Sequence, residues 1–166
     1  MSSGIGNYFI GNPAQMPYGF VSLGSTTLAA PASSITISNL PPRQNLMLVI
    51  YITGKASPAQ TGIQFNTDTG NNYTWSSLGT GPTQSSGVGV AAIYLEVSAQ
   101  TAATYVTVHM SNIGTLAPQV GWHGVVNGTY LVGGGTWATA AQVTSIKLTS
   151  AQNFNTGSYI EVFGAN

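Results

Sequence analysis

Charge is what this sequence has least of. Only Arg43, Lys55, Asp68, Glu96, Lys147 and Glu161 are ionised at neutral pH, 4% of the chain, against about 25% in an ordinary soluble domain. Three scattered basic residues cannot neutralise a track of phosphates, so nucleic acid is excluded as a partner. Polybasic attachment to a membrane surface fails for the same reason. Cysteine is absent altogether, which removes disulfides, zinc–thiolate sites and thiol nucleophiles. The longest apolar run, Leu46 to Ile52, falls far short of the ~20 residues of a membrane span. Met1 to Asn7 carries neither a basic residue nor an apolar core, so no signal peptide is expected there.

What is present points to strands. Hydrophobic residues make up 43% of the chain, too many for a disordered polymer. Gly4, Gly6, Gly11, Pro13, Pro17 and Gly19 interrupt any regular element near the start. Residues 1–20 are therefore expected to form an extended arm, with 21–166 as one β-sandwich domain. The arm's Tyr8, Phe9, Ile10, Met16, Tyr18 and Phe20 suit contact with a neighbouring subunit better than full solvation.

Beyond the arm, Ser34 to Ser38 alternates polar and apolar residues, as does Asn72 to Ser76. That is the period of a half-buried strand. Leu46 to Ile52 reads as a central strand buried on both faces. The dense turn signal of Asn66 to Asn71 predicts a hairpin between its flanking strands. Val88 to Val97 predicts one long strand. In Thr104 to Ser111, Val106, Val108 and Met110 should face inward and Tyr105, Thr107 and His109 outward. Asn127-Gly128 predicts a tight turn between two short strands. Ile146 and Leu148, then Ile160 and Val162, should point into the core. About eight to ten strands at this spacing predict an all-β, jelly-roll-like sandwich.

The residues that chemistry needs are few. Asp68 among Asn66, Asn71 and Asn72 could be a calcium loop, but the charge is meagre and an Asx-turn explains it better. Glu96 and Glu161 show no sign of meeting across one cleft, as a glycosidase requires. His109 and His123 lack nearby partners for a four-ligand zinc site and read as hydrogen-bonded strand or interface residues. No GxSxG elbow and no phosphate-binding glycine loop occurs. Trp122 and Trp137, set among glycines, are the expected exposed aromatics. No enzyme activity, metal or cofactor is expected.

Two stretches then stand out. SSITISNLPPRQNLMLVIYITG followed by GIQFNTDTGNNYTW spans Ser34 to Trp75, and VTSIKLTSAQNFNTGSYIEVFG spans Val143 to Gly164. Together they resemble small structural proteins of tailed bacteriophages, with a prolyl turn, an apolar strand, an F-N-x-D turn and a closing hairpin. The resemblance implies a capsid decoration (cement) protein on the virion surface. It would be a homo-oligomer, with a trimer favoured, and its other partner would be the major capsid protein. The alternatives are a tail-tip or fibre domain binding a host glycan through Trp122 and Trp137, and a single jelly-roll coat protein.

Overall fold

The computed structural model describes residues 19–79, 84–96 and 99–166. Of the expected arm contacts, Tyr8, Phe9, Ile10, Met16 and Tyr18 lie outside the described residues. The described chain is all-β: β1 (Val21–Thr27), β2 (Ala32–Ile37), β3 (Asn45–Ile52), β4 (Gly62–Phe65), β5 (Tyr73–Leu78), β6 (Gln84–Val90), β7 (Ile93–Tyr94), β8 (Thr104–Ser111), β9 (Gln119–Val126), β10 (Thr129–Trp137), β11 (Ile146–Phe154) and β12 (Tyr159–Ala165). They form an eight-stranded sheet, β1-β12-β3-β8-β9-β10-β5-β6, and a four-stranded sheet, β2-β11-β4-β7. Every pairing is antiparallel. The result is the expected jelly-roll-like β-sandwich.

The core follows from the two-residue period of the strands. Ile35, Ile37, Ile63, Phe65, Ile146 and Leu148 project from the small sheet, and Leu46, Leu48, Ile50, Val106, Val108, Ile160 and Val162 from the large one. Each is almost wholly buried, worth roughly 1.5–3 kcal/mol of transfer free energy apiece.

Several local expectations change. β3 is central, but it alternates: Met47, Val49 and Tyr51 face away from the core, so the strand is buried on one face only. Antiparallel sheets allow this where parallel ones do not. The Asn66 to Asn71 turn does not close a hairpin, because β4 and β5 belong to different sheets. The same is true of the turn between β11 and β12. Val88 to Val97 is not one strand. It breaks at Ala91-Ala92, where the chain leaves β6 at one edge of the large sheet and enters β7 at an edge of the small one.

The glycine-rich stretch, by contrast, is regular sheet. β9 and β10 pair from Gln119↔Thr136 to Val126↔Thr129. Their turn has Asn127 at φ 48° and Gly128 at φ 76°, the left-handed pair that a two-residue hairpin of this hand requires. Gly133 is in the strand for a steric reason. A Cβ there would stand 2.2 Å from Cζ2 of Trp122, its cross-strand partner, and 2.7 Å from the Ser76 carbonyl oxygen. The missing side chain is the space the indole fills.

Gly133→Ala is therefore expected to destabilise the fold by about 1–3 kcal/mol, the usual cost of overpacking. Gly134→Ala, whose Cβ would meet nothing nearer than 3.5 Å, should stay within about 0.5 kcal/mol of the parent. Urea unfolding of the two variants checks the contrast.

Candidate functional site

The outward face of the large sheet carries a row of rings. Strand register places Tyr159 opposite Tyr51, Tyr51 opposite Tyr105, Tyr105 opposite Val125 and Val125 opposite Tyr130. Directly opposed residues point to the same side of a sheet, so these five side chains form one line across β12, β3, β8, β9 and β10. Tyr51, Tyr105 and Tyr130 are 44%, 47% and 52% exposed, far more than a tyrosine needs to wet its hydroxyl. The next row runs Glu161, Val49, Thr107, His123, Val132 and Leu78. The one after it runs Phe163, Met47, His109, Gly121, Gly134 and Ser76.

One charged residue stands in these rows. Glu161 accepts from the Ser22 hydroxyl at 2.7 Å and from the phenol of Tyr159. The Tyr159 bond, with Ser22 second, holds its carboxyl below the usual carboxylate range. In return the same bond raises the Tyr159 phenol. His109 and His123 are both exposed. Their rings lie 6.2 Å apart and almost parallel, at 13°. Phe20, 43% exposed, lines a cleft of about 500 Å³ with Asn45, His109, Ser111 and Gln119 among its other walls.

Two of the remaining charges are hidden. Lys55 and Glu96 form an ion pair at 2.9 Å with both side chains 0% exposed. The Lys55 Nζ donates to both carboxylate oxygens and to Thr61 Oγ1. Glu96 also accepts from the Thr61 amide at 2.7 Å, the Thr61 hydroxyl and the Thr104 hydroxyl. Burial pushes the Lys55 ammonium down from its ordinary value, while the Glu96 carboxylate pushes it back up. The pair is sealed and saturated, so it holds loops and offers nothing to a substrate. It was invisible in the sequence, where the two residues stand 41 positions apart with no spacing motif between them.

Asp68 is the Asx-turn residue expected of it. Its Oδ1 accepts from the Gly70 amide at 2.8 Å, and its Oδ2 accepts from Asn72 Nδ2 at 2.9 Å and from the Trp137 indole N–H at 2.7 Å. The indole bond leads in holding its carboxyl below the ordinary range. Tyr73 backs the turn: its hydroxyl accepts from the Phe65 amide at 2.9 Å and donates to the Asp68 carbonyl at 3.1 Å. Burial pushes the Tyr73 phenol up to about 12.

Trp122 and Trp137 are not exposed contacts. Each is 2% exposed, because both fall on inward positions of β9 and β10. Trp122 donates its N–H to the Leu95 carbonyl at 3.0 Å. Trp137 packs on Phe65 and stacks on Tyr73. Among the described residues the exposed aromatics are Phe20 and the outward Tyr51, Tyr105 and Tyr130; alternation signalled Tyr105, whereas Tyr51 lies in an unbroken apolar run. Among the described residues, no three histidine, aspartate or glutamate side chains gather as a metal site.

No family model matches the chain, and no curated protein matches it. Two solved structures show a faint similarity. One is an alginate lyase mutant in complex with an alginate tetrasaccharide, at a TM-score of 0.31 and 11% identity, over 86% of this chain and 79% of that one. The other is the same alginate lyase, at 0.31 and 9%, over 82% and 78%. These returns correct the functional expectation. These two structures are of an alginate lyase, where a capsid decoration, tail-tip, fibre or coat protein was expected. The tryptophans of the glycan reading are also buried. A likeness this faint carries no enzymatic reading in exchange.

Lys55→Met should cost about 3–5 kcal/mol, because it strands a buried carboxylate. Lys55→Met/Glu96→Leu should recover most of that loss, so unfolding free energies of the two singles and the double must be strongly non-additive. For Asp68 the folded-state carboxyl titrates below the unfolded one. Its contribution is thus complete above the ordinary carboxylate range and is lost as pH falls through the folded value. Asp68→Asn should lower stability at pH 7 by about 1–2 kcal/mol and flatten the pH dependence below about pH 4. Urea midpoints across that range test it.

Proposed function

We propose that this chain is a non-catalytic assembly module that pairs with a second copy through the outward face of its eight-stranded sheet. The observation that carries the reading is the exposed row Tyr159–Tyr51–Tyr105–Val125–Tyr130 on a face with almost no charge. Tyrosine is enriched where interfaces concentrate their binding energy. The neighbouring rows supply Val49, Val132, Leu78 and Met47 beside neutral Thr107 and Ser76.

The size of the face supports the choice of occupant. Six strands spaced about 4.8 Å apart, each about 25 Å long, make a footprint of roughly 700 Å². A stable interface buries about 800 Å² per partner. A face with a single carboxylate presents little like-charge repulsion to its own copy. An isologous contact of one face with its own copy closes at two copies, which favours a dimer over a trimer. The sealed state of Lys55 and Glu96 agrees with a role by contact.

Sedimentation equilibrium should show dimers at about 100 µM, a concentration that reads a binding free energy of about −5.5 kcal/mol. Tyr51→Ser/Tyr105→Ser should weaken association by at least about 30-fold, or 2 kcal/mol, with the unfolding midpoint little changed. A parent protein that stays monomeric at millimolar concentration, or a double variant that associates as well as the parent, would sink the reading.

A further inference from the structure

We infer that His109 and His123 form a bidentate site for a borderline divalent transition-metal ion of the zinc, nickel or copper class. The two residues sit on adjacent strands of the large sheet. His109 pairs with Gly121 and His123 with Thr107, which sets the imidazoles diagonally on one outward face. Both are exposed, so their ring nitrogens are open to an ion from solvent.

The spacing fits one ion. A metal held about 2.0–2.1 Å from one nitrogen of each ring leaves the ring centroids roughly 5 Å apart at a tetrahedral angle, and roughly 6.5 Å apart when the nitrogens oppose each other. The observed 6.2 Å lies between these limits. The rings lie almost parallel at 13°, so both imidazoles must turn about their side-chain bonds to aim a nitrogen at one ion, a motion that exposed side chains make freely.

The floor beside the pair is open. Gly121 lies opposite His109 and two residues from His123 on the same face, and a Cβ there would meet nothing within 4 Å. Gly134, opposite Gly121 on β10, extends the bare strip. The cleft of about 500 Å³ walled by His109, Ser111, Asn45 and Gln119 adjoins it. This leaves room for the waters or other ligands that complete a four-coordinate shell.

The chemistry selects the class of ion. Imidazole nitrogen suits zinc, nickel and copper, whereas calcium and magnesium require oxygen. The carboxylate in the same row, Glu161, is three strands from His123, roughly 14 Å away, and takes no part. No lysine or arginine occurs on β3, β8, β9 or β10, so no fixed cation on those strands repels the ion. The site goes beyond the pairing of faces and competes with it, since both use the outward face of the large sheet.

Isothermal titration of the full, untagged chain with zinc chloride and with nickel chloride tests the site. One ion should bind per chain, and calcium chloride should give no binding heat. His109→Ala and His123→Ala should each weaken binding at least tenfold. Gly121→Val should weaken it comparably by filling the floor while leaving both ligands in place. Circular dichroism unchanged in all three variants separates loss of the site from loss of fold. Absence of binding at about 1 mM ion, or binding that survives His109→Ala/His123→Ala, overturns the assignment. Because the pair lies on the face proposed for pairing, the titration is run at about 10 µM chain, roughly tenfold below the concentration at which dimers are expected. Binding there keeps the site whatever sedimentation shows of the pairing, and its absence there discards the site and leaves the pairing to sedimentation.

Discussion

Two sheets of unequal width have to be held face to face, and the carboxylate of Glu96 sits where they meet. It takes hydrogen bonds from Thr61, just before β4 of the small sheet, and from Thr104, the first residue of β8 in the large one. Lys55, beyond the end of β3, supplies the opposite charge. Removing two ions from water is costly, and attraction at 2.9 Å offsets that cost only because every acceptor is occupied. The arrangement has one satisfied geometry. It therefore specifies how Lys55, Thr61, Glu96 and Thr104 are held together at this end of the sandwich, more than it adds net stability.

The burial of that pair shapes the exterior. With Lys55 and Glu96 withdrawn, the charges left outside the core are Arg43, Asp68, Lys147 and Glu161, and of these Glu161 alone stands in the outward rows of the large sheet. The outward side of the large sheet is left to tyrosines, aliphatics, histidines and glycine. A surface of that composition binds by contact area and ring packing, and salt screens such forces little. The same paucity of charge makes the two adjacent imidazoles the most available metal ligands on that face.

The Asp68 turn shows the same economy on a smaller scale. The residue that closes the turn also caps the Trp137 indole, and Tyr73 ties the turn to Phe65. A change at any one of these positions reaches the other three, since they share donors, acceptors and ring contacts.

Much of the strand content was legible in the sequence, because alternation is a local property with a period of two. Val106, Val108 and Met110 against Tyr105, Thr107 and His109 could be sorted from β8 alone, and Asn127-Gly128 carried its own turn. Tyr105 was legible in the same way, but Tyr51 was not, because it lies in an unbroken apolar run that reads as buried on both faces. The alignment of the outward tyrosines into one row was not legible either, because it depends on register between β12, β3, β8, β9 and β10, which are scattered along the chain. Nor could the sequence say that the turns after β4 and β11 cross between sheets, or that Trp122 and Trp137 point inward. Glycine beside tryptophan reads as a loop until Gly133 is seen lying beneath the Trp122 ring. The sequence by itself determined which residues alternate, and how little charge there would be to place. Only the tertiary structure decided which of those charges disappear into the core, and which rings share a face, because both depend on contacts between residues tens of positions apart.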